Sequence, residues 1–150
     1  SGSKLLTDKI VGSELDVGKL VLSPTRTYGP IIKKIIELHK GEIDGMIHCS
    51  GGAQTKILHF IDNLHIIKDN MFDTPLLFEL IQNESKTDWK EMYKVFNMGH
   101  RMELYVDENI ADSIIAVANS FNVEAKIIGR VEKHHSKKLT IKSKHGEFIY

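Results

Sequence analysis

The apolar residues of this chain change period repeatedly, and that most constrains its fold. From Pro30 to Lys40, residues Ile31, Ile32, Ile35, Ile36 and Leu38 recur on one helical face, with Pro30 at the first turn and Gly41 placed to end the helix. From Arg101 to Val106 the pattern is alternation, Met102, Leu104 and Val106 against Arg101, Glu103 and Tyr105, which predicts a half-buried strand. Segments of both kinds follow one another without an internal repeat. The fold class is therefore α/β or α+β, a mixed β-sheet with flanking helices.

Between these segments, Met46 and Ile47 form a short apolar stretch leading through His48 and Cys49 to Ser50-Gly51-Gly52. The helical spacing of Ile57, Leu58 and Ile61 comes next, so the segment reads as strand, glycine turn, helix. Leu64 to Ile67 is a short strand. Thr74 is placed to cap a helix with Pro75 at its first position, running through Leu76, Leu77, Leu80 and Ile81. Asp88 and Glu91 make a capping-box-like pair ahead of Met92, Val95 and Phe96. Asp107 can cap a helix whose face is Ile110, Ile114, Ile115, Val117, Ala118 and Phe121; a strand through Ile127 to Val131 completes a β-α-β unit. Leu139-Thr140-Ile141 and Phe148-Ile149-Tyr150 flank Lys144-His145-Gly146 as a closing hairpin. Met46, Met92 and Met102 are expected in the core.

A chain of 150 residues supports one domain. Residues 1–19, with scattered charges and glycines, read as a linker or extended arm, and residues 20–150 as the domain. Pro24 and Pro30 make the segment between them a rigid loop. No apolar run approaches the roughly 20 residues that span a bilayer, so no membrane partner is expected. The single cysteine, Cys49, excludes an internal disulfide and fits a reducing, cytoplasmic compartment. Net charge is zero, yet Lys126 to His145 holds seven basic residues and one acid. Its lysines alternate with apolar residues and lack interleaved aromatics, which favours a solvated strand face over a nucleic-acid surface.

The segment richest in chemistry is His48-Cys49-Ser50-Gly51-Gly52. Glycines let backbone approach a ligand closely, and free N–H groups opening a helix suit an anion such as phosphate; the competing reading is a turn that needs glycine for steric reasons alone. His48 is open to three readings: an active-site group, a buried histidine satisfied by a carbonyl, or a surface residue. A metal site from His48, Cys49, His59 and His65 does not fit zinc-ligand spacing, and no metal ligand is assigned. Nothing pairs Cys49 with a base. In Asn97-Met98-Gly99 an amide and a glycine face a ligand or end a helix in the left-handed conformation. Arg26 could grip phosphate or carboxylate in a fork, or pair with an acid of a neighbouring subunit.

Three segments, Pro24-Thr25-Arg26-Thr27-Tyr28, Gly45-Met46-Ile47-His48-Cys49-Ser50-Gly51-Gly52 and Glu91-Met92-Tyr93-Lys94-Val95-Phe96-Asn97-Met98-Gly99, together resemble the carboxy-terminal domain of the phosphoribosylformylglycinamidine cyclo-ligases, or AIR synthetases. Ile128-Gly129-Arg130-Val131 resembles that domain's closing strand, and the likeness runs in order from about Leu20 to Val131. The resemblance implies a partly ferredoxin-like fold of that type. It also implies an ATP- and Mg²⁺-dependent ring closure of formylglycinamidine ribonucleotide in purine biosynthesis, by a homodimer whose amino-terminal domain holds most of the ATP. By motif, His48 becomes the catalytic candidate, Ser50, Gly51 and Gly52 the phosphate cradle, and Thr25, Arg26, Asn97 and Gly99 the lining of the substrate cleft. The family commonly continues its glycine turn with a third glycine and Pro-Glu-Asn, where this chain has Ala53-Gln54-Thr55-Lys56; His100 and Arg101 replace small residues after Gly99. Other readings are a diverged paralogue catalysing ATP-dependent phosphoryl transfer and a non-catalytic phosphate-binding or dimerisation module. With no P-loop and no carboxylate cluster for Mg²⁺-ATP, the 150 residues alone are expected not to turn over.

Overall fold

The structure is a computed structural model that describes residues 3–23 and 26–150. Its elements in chain order are α1 (Val17–Val21), α2 (Gly29–His39), β1 (Ile43–His48), a 3₁₀ helix (Ala53–His59), β2 (Leu64–Lys68), α3 (Leu76–Ser85), α4 (Trp89–Val95), β3 (Met102–Val106), α5 (Glu108–Ser120), β4 (Gly129–Lys133), β5 (Lys138–Ser143) and β6 (Gly146–Ile149). The fold is α+β. Its strands form two sheets, a two-stranded antiparallel β1-β3 pair and a mixed four-stranded sheet ordered β4-β2-β5-β6, in which only β2 and β5 run parallel. In the β3-α5-β4 unit the two strands therefore belong to different sheets.

Local chemistry explains the starts of α4 and α5. Asp107 accepts a hydrogen bond from the Asn109 amide and opens α5; Asp88 does the same for α4 through Lys90. Glu91 does not complete a capping box, because its carboxylate pairs with Lys94. Thr74 does not cap α3 either. Its hydroxyl bonds His145 Nε2 at 2.9 Å, Pro75 takes the cap position, and the helix begins at Leu76. The helix expected after the glycine turn is a seven-residue 3₁₀ helix, entered through left-handed Gly52 and Ala53 (φ 83° and 40°). Its tighter winding stacks Gln54 over Ile57, both buried. The closing hairpin turns through Lys144-His145, with Ser143 opposite Gly146.

The core has two parts. Ile31 and Ile35 of α2 pack with Ile114 and Ala118 of α5, and Ile43, Leu104 and Val106 join them. The larger cluster gathers Ile47, Cys49, Ile57, Ile66, Met92, Tyr93, Met98, Leu139 and Ile141. The β1-β3 pair is sandwiched between them, so the polar face of β3 is covered as well, with Glu103 buried and Tyr105 half-buried. The expectation of a half-buried strand is corrected accordingly. Met46 is corrected too: at 39% exposure it lies outside the core, on the stretch of β1 that α2 and α5 leave uncovered. Gly129 keeps β4 close to β2, since a Cβ there would fall 1.8 Å from the Ile67 oxygen.

Candidate functional site

β1 delivers His48 to the surface at its carboxyl end, where it faces Met102 across the sheet. The side chain is exposed, which removes the reading of a buried, carbonyl-satisfied histidine. The next residues fold tightly: Ser50 N–H donates to His48 O at 2.8 Å, and Ala53 N–H to Ser50 O at 2.7 Å. The Gly51 and Gly52 amides are not taken by another backbone carbonyl among the described residues. Gly52, at φ 83°, supplies the left-handed step that an L-residue disfavours. Lys56 folds back over this turn, its ammonium donating to Ser50 Oγ at 3.0 Å and His48 O at 3.1 Å. A positive charge thus stands beside the two glycine amides. The motif reading did not include Lys56; its place one 3₁₀ turn after Ala53 was the available signal.

The second segment is brought to the first by a buried side chain. Gln54, fully buried in the 3₁₀ helix, donates from Nε2 to the backbone oxygen of Asn97 at 2.8 Å. Asn97 Oδ1 accepts from the Gly99 amide at 2.9 Å, and the Cys49 N–H donates to Arg101 O at 2.9 Å, joining the residues that flank the two turns. Met98 and Gly99 are both left-handed, at φ 53° and 92°. Asn97 thus shapes its own turn through its side chain while its main chain anchors the glycine turn.

The proposed cleft residues do not all meet. Arg26 is exposed, and Nη1 donates to the Asn122 oxygen beyond α5 at 2.8 Å. Thr25 lies outside the described residues. A cleft of about 720 Å³ runs between the two sheets past Lys68, Phe72, His100, Glu103 and Tyr105, and a neighbouring one of about 450 Å³ lies between Phe72, Pro75, Glu124 and Lys126. Gly99 borders both, whereas His48, Ser50, Gly51 and Gly52 line neither.

Electrostatics separates inert groups from available ones. Burial pushes the Cys49 thiol up to about 12, with the nearby Glu103 carboxylate adding to the shift, so Cys49 is no nucleophile here. His100 is held down to about 4, first by burial and then by the charges of Lys68 and Lys126. Its Nε2 accepts from the Phe72 amide at 3.1 Å, which requires that nitrogen to be bare. Beneath the site Lys68 and Glu103 form a buried ion pair at 2.6 Å. Sequence patterning gave no sign of it, because Lys68 follows an apolar run and Glu103 sits on the nominal water face. Much of the basic excess of the terminal region is paired: Arg130 with Asp69 and Glu132, Lys142 with Glu147, and Lys144 with Glu79.

Among the described residues no three His, Cys, Asp or Glu side chains converge. The donor set of the described residues therefore does not fit Mg²⁺-ATP. Among those residues, too, no helix is long and apolar enough to cross a membrane.

Comparison with known proteins decides the family. Residues 5–142 match the family described as AIR synthase related protein, C-terminal domain. The chain belongs to that family. This AIR synthase-type domain is 34% identical over 144 residues to the phosphoribosylformylglycinamidine cyclo-ligase of Syntrophus aciditrophicus, covering 89% of this chain and 39% of the relative. It is 33% identical over 125 residues to the protein of that name from Methanocaldococcus jannaschii, covering 81% and 36%. The Methanopyrus kandleri protein of the same name is 34% identical over 134 residues, covering 86% and 38%. The AIR synthase-type domain thus spans less than two fifths of the length of these relatives.

Proposed function

We propose that this chain is the carboxy-terminal part of a phosphoribosylformylglycinamidine cyclo-ligase. In this reading residues 20–150 form the domain, residues 1–19 connect it to an ATP-binding domain, and the enzyme works in the cytoplasm as a homodimer. The observation that carries the reading is the pairing of the Ser50–Gly52 and Asn97–Gly99 turns through the Gln54–Asn97 hydrogen bond. These two motifs lie more than 40 residues apart in sequence and are joined by that bond, with Ser50 and Gly51 exposed and Gly52, Asn97 and Gly99 half-buried. An exposed half-site suits a cleft that a second domain completes.

The chain's own residues have a definite share of the work. The Gly51 and Gly52 amides and the Lys56 ammonium offer donors to the ribonucleotide's phosphate, where charge-assisted hydrogen bonds are strongest. His48, next to them and exposed, takes the proton that the ring-forming nitrogen loses as the imidazole closes. Asn97 and Gly99 line the opposite wall, with Thr25 and Arg26 assigned to it by motif alone. In this reading ATP and Mg²⁺ would be held mainly by the other domain, and the residues of this chain face the ribonucleotide.

The test is made on the full-length protein with formylglycinamidine ribonucleotide, ATP and Mg²⁺. Formation of aminoimidazole ribonucleotide is expected, with His48→Ala lowering kcat and Gly51→Val weakening calorimetric binding of the ribonucleotide. No product from the wild-type protein, or binding indifferent to Gly51→Val, overturns the reading.

A further inference from the structure

A continuous polar path runs through the interior and ends at the candidate site. Lys68, 1% exposed at the end of β2, donates to Glu103 Oε1 at 2.6 Å, to Gln54 Oε1 at 2.9 Å and to the Gln54 backbone oxygen at 3.0 Å. Those three bonds use every proton of the ammonium. The second Glu103 oxygen accepts from the Tyr105 hydroxyl at 2.9 Å. Gln54 then passes the path on, Nε2 to Asn97 O at 2.8 Å. No buried side-chain nitrogen or oxygen among the described residues lacks a partner.

Stability does not account for this arrangement, because a buried ion pair is commonly no better than apolar side chains of equal volume. The polar path adds direction. A side-chain amide has one accepting end and one donating end, and the ammonium of Lys68 can face only the acceptor. With Oε1 fixed on Lys68, Nε2 must face Asn97. An apolar residue at position 54 could fill the space without tying the two turns in one register.

We propose that Lys68 is a positioning residue, which fixes the amide orientation of Gln54 and thereby holds the Asn97–Gly99 turn against the Ser50–Gly52 turn. Glu103 keeps the ammonium in place. The consequence for substrate binding rests on the cyclo-ligase reading above; the consequence for the turns does not.

Three variants test it: Lys68→Met, the apolar triple Lys68→Met/Glu103→Leu/Tyr105→Phe, and Gln54→Met, which leaves the Lys68–Glu103 pair intact. On the 150-residue chain, thermal unfolding and amide exchange of Gly99 and His100 are read, since both amides bond to Asn97. The triple variant is expected to recover the melting temperature lost in Lys68→Met, whose Glu103 is left unpaired. Exchange at Gly99 and His100 is nonetheless expected to stay about tenfold faster than wild type in the triple variant and in Gln54→Met, as for a lost hydrogen bond. In the full-length protein the same two variants should raise KM for the ribonucleotide about tenfold with kcat within about twofold. Wild-type exchange in Gln54→Met, or exchange that recovers together with melting temperature in the triple variant, overturns the positioning role. A wild-type protein without turnover would overturn the cyclo-ligase reading and leave the exchange result to decide this one.

Discussion

Gly99 lies so close to Pro75 that a β-carbon on it would stand 2.9 Å from the proline Cγ. The start of α3 is thereby pressed onto the turn that carries Asn97. With φ at 92°, the glycine is required twice over, by backbone conformation and by space. Gly99→Ala should lower unfolding free energy by about 1–3 kcal/mol, measured by denaturant titration. A loss below about 0.5 kcal/mol would mean that the contact relaxes freely.

Acid should weaken the fold through His100. Folded His100 titrates at about 4 and a free histidine at 6.5, so below pH 6.5 the unfolded chain binds a proton that the folded chain refuses. Stability is complete above 6.5 and is lost as pH falls from 6.5 toward 4, by about 3 kcal/mol in all. His65 and His145, both lowered by burial and neighbouring lysines, add in the same direction. His100→Gln keeps an acceptor for the Phe72 amide and should flatten this window in a pH series of unfolding curves.

Trp89, the only tryptophan, stacks on His145 with ring centroids 3.5 Å apart and an interplanar angle of 10°. Burial and the charge of Lys144 lower the His145 pKa. Indole emission should therefore change as His145 is protonated, with a midpoint below 6.5, and His145→Phe should abolish that transition. A midpoint above 6.5 would contradict the stacked, partly buried geometry.

Cys49 should resist thiol reagents. Its side chain is buried and its thiolate strongly disfavoured, so labelling by iodoacetamide at pH 8 should be at least about 100-fold slower than for a free thiol. Denaturant should restore the ordinary rate. Fast labelling of the native chain would show that the β1 end opens readily.

Lys56 tests the proposed phosphate cradle directly. Lys56→Ala in the full-length protein should raise the ribonucleotide's KM about tenfold, the loss of one charge-assisted hydrogen bond, without lowering melting temperature, because its side chain is anchored only to the surface turn. Lys56→Glu should do worse by charge repulsion. Equal KM values across the three proteins would remove Lys56 from the site.

Local chemistry in the sequence determined a good part of this protein. The period of Ile31 to Leu38, the cap at Asp107 and the alternation around Lys144-His145 each record contacts within a few residues, and α2, α5 and the closing hairpin form as they dictate. The motifs around His48 and Asn97 were legible for the same reason, since glycine turns are local. Periodicity reports the contrast between one face and water; it does not report what a second layer will cover. Only tertiary structure therefore decided that β1-β3 stands apart from β4-β2-β5-β6, that Met46 is left bare, and that the water face of β3 becomes interior. The Glu103–Lys68–Gln54–Asn97 path belongs to the same class. Each of its members looks ordinary in its own segment. They become a unit because folding removes them from water together, and a buried charge must then find its partner wherever the chain has placed one.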